Sequence, residues 1–105
     1  MSIDLQPNEF LVSEIRPGQI GLVEVDFEDV AVYNVGGTFY ATHDACTHAE
    51  GPLHTGDLRG NQVVCPWHNS CFDVTNGEVT CGPATDPLRT YRVMIDGDLG
   101  RVVEE

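Results

Sequence analysis

At 105 residues the chain has room for one domain, because small domains already bury a modest share of their surface. A hydrophobic fraction of 41% with 21% charged residues is ordinary for a globular protein and excludes a disordered chain. Five arginines, no lysine and seventeen acids leave a net charge of −12, which excludes a generic nucleic-acid binder and disfavours an anionic membrane surface, since both partners require cations.

Two readings of that charge stay open. It is a soluble, self-repelling surface, or it is an acidic docking face for a basic partner protein. Met1 to Pro7 has neither a basic nor an apolar region of the secretory kind. No apolar run approaches the roughly 18 residues of a spanning helix. The expectation is a cytoplasmic protein with no membrane association. In that compartment four cysteines read as metal ligands or free thiols rather than as a disulfide framework.

The predicted elements are short strands. Gln19 to Val25 carries a partly two-sided apolar set, and Val30 to Val35 is β-branched and aromatic. Gly36-Gly37 offers a two-residue turn, from which Thr38 to Thr42 returns as the second arm of a hairpin. From about His43 to Gly60 the chain is rich in Gly, Pro, His and Asp and poor in β-branched residues. It reads as a loop that carries function. Gln62 to Cys65 is a short strand, and Cys71 to Val74 and Glu78 to Cys81 flank an Asn76-Gly77 turn. Tyr91 to Ile95 and Leu99 to Val103 flank Asp96-Gly97-Asp98. No stretch of ten residues has a helical period. The fold class is all-β, mostly antiparallel, a small sandwich or barrel.

Two clusters carry the chemistry. Cys46-Thr47-His48 is followed, after sixteen residues, by Cys65-Pro66-Trp67-His68. Each supplies one thiolate and one imidazole beside turn-forming residues. Facing each other, they would place two sulfurs and two nitrogens around a metal. Such a set suits tetrahedral zinc, although the usual finger puts both cysteines before both histidines. It also suits a [2Fe–2S] centre in which two histidines replace two cysteines on one iron. The bland alternative is buried cysteines packing as small hydrophobes beside turn histidines.

The two-part motif and its setting resemble Rieske-type ferredoxins, in particular the ferredoxin components of bacterial aromatic-ring dioxygenase systems. The resemblance spans most of the chain. Beyond the motif it rests on Leu53 and Gly56 in the first loop, on Phe72-Asp73, Gly77 and Gly82-Pro83-Ala84 after the second, and on Pro87-Leu88 and Tyr91-Arg92-Val93. It implies a Rieske-type fold: a small antiparallel β base of about residues 1–42 and 85–105, with an inserted cluster-binding subdomain of about 43–84. It implies one [2Fe–2S] cluster, with Cys46 and Cys65 on the inner iron and His48 and His68 on the outer, solvent-facing iron. The implied partners are a flavin-dependent ferredoxin reductase and a terminal oxygenase, with the carrier itself a monomer and not an enzyme. The alternatives are a small subunit of a larger reductase, such as a nitrite reductase, and a zinc-stabilised interaction module.

Charge counting explains why histidine matters. Two ferric ions, two sulfides and two thiolates sum to zero, whereas four thiolates would give a dianion. A neutral centre accepts an electron more readily, which raises the potential. High-potential relatives carry a further disulfide across the two loops, at the positions of Gly51 and Trp67, and a tyrosine where Phe72 stands. Losing those features points to the low end of the Rieske range, with Ser70 retained as a hydroxyl donor pulling the other way. Asn69 stands where the family commonly has Gly, and Asn tolerates left-handed backbone geometry.

Cys71 and Cys81 are expected to be free thiols packed near the cluster. Their register is open: a two-residue turn places them on opposite faces, and a three-residue turn makes them face each other. His43 and His54 are expected in turn or surface roles. Pro52, Leu53, Trp67 and Pro83 are expected as apolar cover, some of them forming a docking rim. Asp44, Glu50 and Asp57 should bring negative charge close to the exit histidines.

Overall fold

The computed structural model describes residues 4–47, 51–67 and 69–105. Its strands are β1 (Glu9–Leu11), β2 (Ile20–Val25), β3 (Glu28–Val35), β4 (Thr38–His43), β5 (Asp57–Arg59), β6 (Gln62–Val64), β7 (Cys71–Asp73), β8 (Val79–Cys81), β9 (Thr90–Asp96) and β10 (Leu99–Glu104). They form two antiparallel sheets. The larger has the order β1-β10-β9-β4-β3-β2, and the smaller is the meander β5-β6-β7-β8. In the larger sheet β2 curls back against β10, so it is nearly closed like a barrel. The all-β expectation holds.

Strand β3 is the wall between two cores, and its sequence shows why. Residues 30–34 are all buried, so the usual alternation of apolar and polar is lost. Side chains on a strand point alternately to opposite faces. Val30 and Val32 therefore join the barrel core with Phe10, Val23, Ala41, Tyr91 and Val102. Ala31 and Tyr33 point the other way, into a core shared with Cys46, Leu53, Cys65, Phe72 and Val74. Tyr33 satisfies its buried hydroxyl by a 2.8 Å hydrogen bond with Thr42 Oγ1.

The turns follow glycine chemistry where it is present. Gly36 and Gly37 have φ of 59° and 100°, and the Asn34 Oδ1 accepts the Gly37 N–H at 2.8 Å. The β2–β3 turn does not follow it: Asp26 and Phe27 take φ of 50° and 66° with no glycine.

Two strands depart from the expected layout, and one open register is resolved. β1 is an additional strand, and it pairs with β10 through Phe10 and Gly100. β5 lies inside the segment read as loop, paired with β6. The β7–β8 connection is longer than two residues: the Asp73 N–H donates to Glu78 O at 2.8 Å and the Gly77 N–H to Asp73 O at 2.7 Å. A register shift between Cys71 and Phe72 then sets Cys71 opposite Cys81.

Candidate metal centre

The first loop leaves β4 and is pinned at both ends. The Asp44 N–H donates to Asp29 O at 3.0 Å, and the Leu53 N–H to Asp44 O at 2.8 Å. Ala45 bridges Pro52, and the Cys46 N–H donates to Gly51 O at 2.9 Å. The Asp44 carboxylate adds a clasp, accepting the His54 N–H on Oδ1 and pairing with His54 Nδ1 through Oδ2, each at 2.8 Å. Thr47 Oγ1 donates to Asp86 O at 2.7 Å, which ties the outer part of the loop to the chain returning toward β9. Cys46 and Leu53 are both fully buried.

The second loop follows β6. The Cys65 N–H donates to Ser70 O at 2.8 Å, and the Asn69 N–H to Cys65 O at 3.1 Å. Asn69 sits in the left-handed region with φ of 59°, the geometry expected of it as a stand-in for Gly. Cys65 and Ser70 are fully buried. The Ser70 hydroxyl oxygen accepts the Ala84 N–H at 3.0 Å, so its own proton remains available to donate.

The two loops meet at Gly51. A Cβ built on Gly51 would lie 2.9 Å from Cys65 Sγ and 3.0 Å from Trp67 Cγ. Positions 51 and 67 therefore face each other across the loops, and neither is cysteine. With Trp67 in place, even an alanine at 51 would require a shift. Trp67 itself is 59% exposed, so it caps Gly51 on one side and meets solvent on the other. Phe72 is fully buried in the same core as both cysteines and brings no hydroxyl.

His48 and His68 lie outside the described residues, as do Ala49 and Glu50. The cysteine half of the motif is thus brought together at adjoining buried loops. Among the described residues no cluster of three or more metal-ligating side chains is gathered.

Two expectations change. Cys71 and Cys81 form a disulfide, with Cα atoms 4.8 Å apart. The bulge beside Phe72 brings them opposite each other, which the two-residue turn would have prevented. Asp44 does not face the surface: it is buried, and its carboxylate is turned onto the His54 backbone N–H and Nδ1. His54 consequently has a structural role in the first loop. Sequence reasoning missed this clasp, because nothing marks an acid and a histidine ten residues apart as partners. Asp57 is exposed, with Arg59 at 3.6 Å.

The comparisons agree with this arrangement. The family model described as Rieske [2Fe-2S] domain matches residues 8–92. The ferredoxin component of the naphthalene 1,2-dioxygenase system of Pseudomonas aeruginosa is 39% identical over 84 residues, covering 80% of this chain and 81% of that protein. Among solved structures, the ferredoxin of carbazole 1,9a-dioxygenase from Nocardioides aromaticivorans IC177 superposes with a TM-score of 0.88 at 31% identity, covering 93% of this chain and 96% of that one. A chain in the complex of reduced oxygenase and oxidized ferredoxin of carbazole 1,9a-dioxygenase superposes with a TM-score of 0.84 at 37% identity, covering 89% of this chain and 96% of that one. Two loops that bury Cys46 and Cys65 against each other, on a sheet pair of this topology, make the chain a member of the Rieske [2Fe–2S] domain family, among its ferredoxins.

Proposed function

We propose that this ferredoxin shuttles single electrons from an NAD(P)H-dependent flavin reductase to the terminal oxygenase of an aromatic-compound dioxygenase system. Its closest support is the meeting of the two buried cysteine loops at Gly51, where Cys65 Sγ and Trp67 leave no room for a larger residue. Relatives named as ferredoxin components of dioxygenase systems support the partner class, and a neighbour solved together with an oxygenase supports the terminal acceptor.

In this reading Cys46 and Cys65 hold one iron and His48 and His68 the other. When bound, a cluster of this type supplies a one-electron couple and no open site for substrate. The chain's own residues do the rest. Burial of both cysteines under Leu53, Phe72 and Val74 excludes water from the inner side. The buried Ser70 hydroxyl accepts the Ala84 N–H, which leaves its own proton free to donate. Residues 43–84 act as the cluster-binding part and residues 1–42 and 85–105 as the base, in a monomeric, cytoplasmic carrier.

The test is iron and acid-labile sulfide analysis of anaerobically purified protein, with Cys46→Ser and His68→Ala alongside. Two irons and two sulfides per chain, lost in both variants, support the assignment. A colourless protein with stoichiometric zinc overturns it. The partner assignment is tested by stopped-flow reduction with NADH and a flavin-dependent ferredoxin reductase, where absence of reduction in a cluster-loaded protein counts against it.

A further inference from the structure

The β2–β3 hairpin ends in an arrangement that its own folding does not require. Two-residue hairpin turns with positive φ at both positions favour Asn-Gly or Asp-Gly, because most side chains clash in the left-handed region. Here the second position is Phe27, at φ of 66° and 95% exposed. A bulky residue in that conformation is an outlier that stability alone would replace, and such outliers concentrate at functional sites. Among the described residues it is the most exposed large hydrophobic side chain.

Its surroundings are acidic. Glu24, Asp26, Glu28 and Asp29 are exposed on either side of it. Among the described residues, the basic side chains facing this end are Arg89, 3.8 Å from Glu28 and 2.8 Å from Glu104, and His43, 3.8 Å from Glu28. Each already has an acidic neighbour, and the tip stays negative.

The tip is also continuous with the cysteine loops. Glu28 and Asp29 line a cleft of about 260 Å³ together with His43, Asp44, Ala45 and Pro52. Pro52 follows Gly51, which packs on Trp67. Glu28 and Asp29, beside Phe27 in sequence, thus share a cleft with the residues that open the first cysteine loop.

We propose that the Asp26-Phe27 hairpin tip is a docking anchor for the basic surface of a redox partner protein. Phe27 enters an apolar recess on the partner, and the four flanking carboxylates meet its Lys and Arg side chains. Aromatic anchors inside a polar rim are the usual composition of such contacts, and complementary charge speeds encounter and sets orientation. This rests on the carrier reading and deepens it, adding a contact beside the first cysteine loop.

The test measures electron transfer from the reduced, cluster-loaded protein to cytochrome c, a basic one-electron acceptor, by stopped flow across a range of salt concentrations. Phe27→Asn suits the left-handed turn. It is expected to slow the second-order rate several-fold, with the reduction potential unchanged and the thermal midpoint unchanged or higher. Phe27→Gly is expected to behave alike. Glu24→Gln with Asp26→Asn, neither in an ion pair among the described residues, is expected to flatten the salt dependence. Met94→Asn, on an exposed position toward the opposite end of β9, is the control and leaves the rate unchanged. Native rates in both Phe27 variants overturn the proposal. So does a native dimer that Phe27→Asn converts to monomer, since the tip would then serve self-association. A native protein that transfers no electron even to ferricyanide fails at the carrier reading, and the proposal falls with it.

Discussion

The Asp44 carboxylate holds His54 twice, at the backbone N–H and at Nδ1, both at 2.8 Å. Asp44 lies two residues before Cys46, and His54 lies just beyond the point where Ala45 and Pro52 pair. The contact therefore closes the base of the first loop around the buried cysteine. Asp44→Ala leaves the part-buried His54 N–H without its acceptor, which costs on the order of 1 kcal/mol. The expected outcome is a lowered thermal midpoint and reduced iron content, with Asp44→Asn recovering part of both. Unchanged iron loading in Asp44→Ala would separate the clasp from cluster retention.

The Cys71–Cys81 disulfide closes a loop of ten residues within the small sheet. In the chain-entropy account a loop of this size contributes about 2–3 kcal/mol through the unfolded state. For a domain near this length that is on the order of 10 °C in the thermal midpoint. Cys81→Ser, or a dithiol reductant, is expected to lower the midpoint by that order while leaving the visible spectrum intact. Loss of the spectrum would mean that these cysteines take part in holding the cluster.

Glu9 links β1 to the rest of the barrel. Its carboxylate accepts the Gln6 N–H at 2.8 Å and pairs with Arg101 at 2.8 Å. The Gln6 amide first, and then Arg101, hold its pKa below the ordinary value of 4.5. A carboxyl more acidic in the folded state stabilises the fold above its unfolded pKa, and that contribution is lost as pH falls through the folded value. Urea midpoints measured at neutral pH and near pH 3 should therefore differ less in Glu9→Gln than in the native protein. An equal difference would show that the contact contributes no acid sensitivity.

Ser70 is fully buried and accepts from Ala84 N–H at 3.0 Å, with its proton left to donate. Removing a donor from the neighbourhood of cluster sulfur lowers the potential. Ser70→Ala is expected to shift the potential downward by voltammetry. It also costs about 1–3 kcal/mol, because the Ala84 N–H loses its acceptor. A variant with the native potential would place the hydroxyl in packing alone.

Most of the fold was legible because the strand signals are local. The β3 run Val30 to Asn34 and the Gly36-Gly37 turn announce themselves through branching and glycine. What was missed depends on distant partners. β1 is three residues long and exists through its pairing with β10. β5, equally short, sits in a stretch of loop-like composition and is held by β6. The β2–β3 turn lacked the glycine that makes such turns visible. The site divides the same way. Cysteine and histidine spacing within each cluster is a sequence property, and Asn69 could be read for its left-handed backbone. The Asp44–His54 clasp and the bulge that pairs Cys71 with Cys81 are tertiary facts. A one-residue change of register inverts which side chains face each other, and nothing local to Cys71 fixes that choice.

We propose that the protein is a one-electron carrier at the low end of the Rieske range. This rests on Gly51, Trp67 and Phe72 standing where donors and a disulfide would raise the potential. The direct measurement is the reduction potential of the anaerobically purified protein by protein-film voltammetry. The expected result is a reversible one-electron wave near or below about −100 mV, in a range that spans about −150 to +300 mV. A wave well above zero, or none from folded and metal-loaded protein, would contradict it.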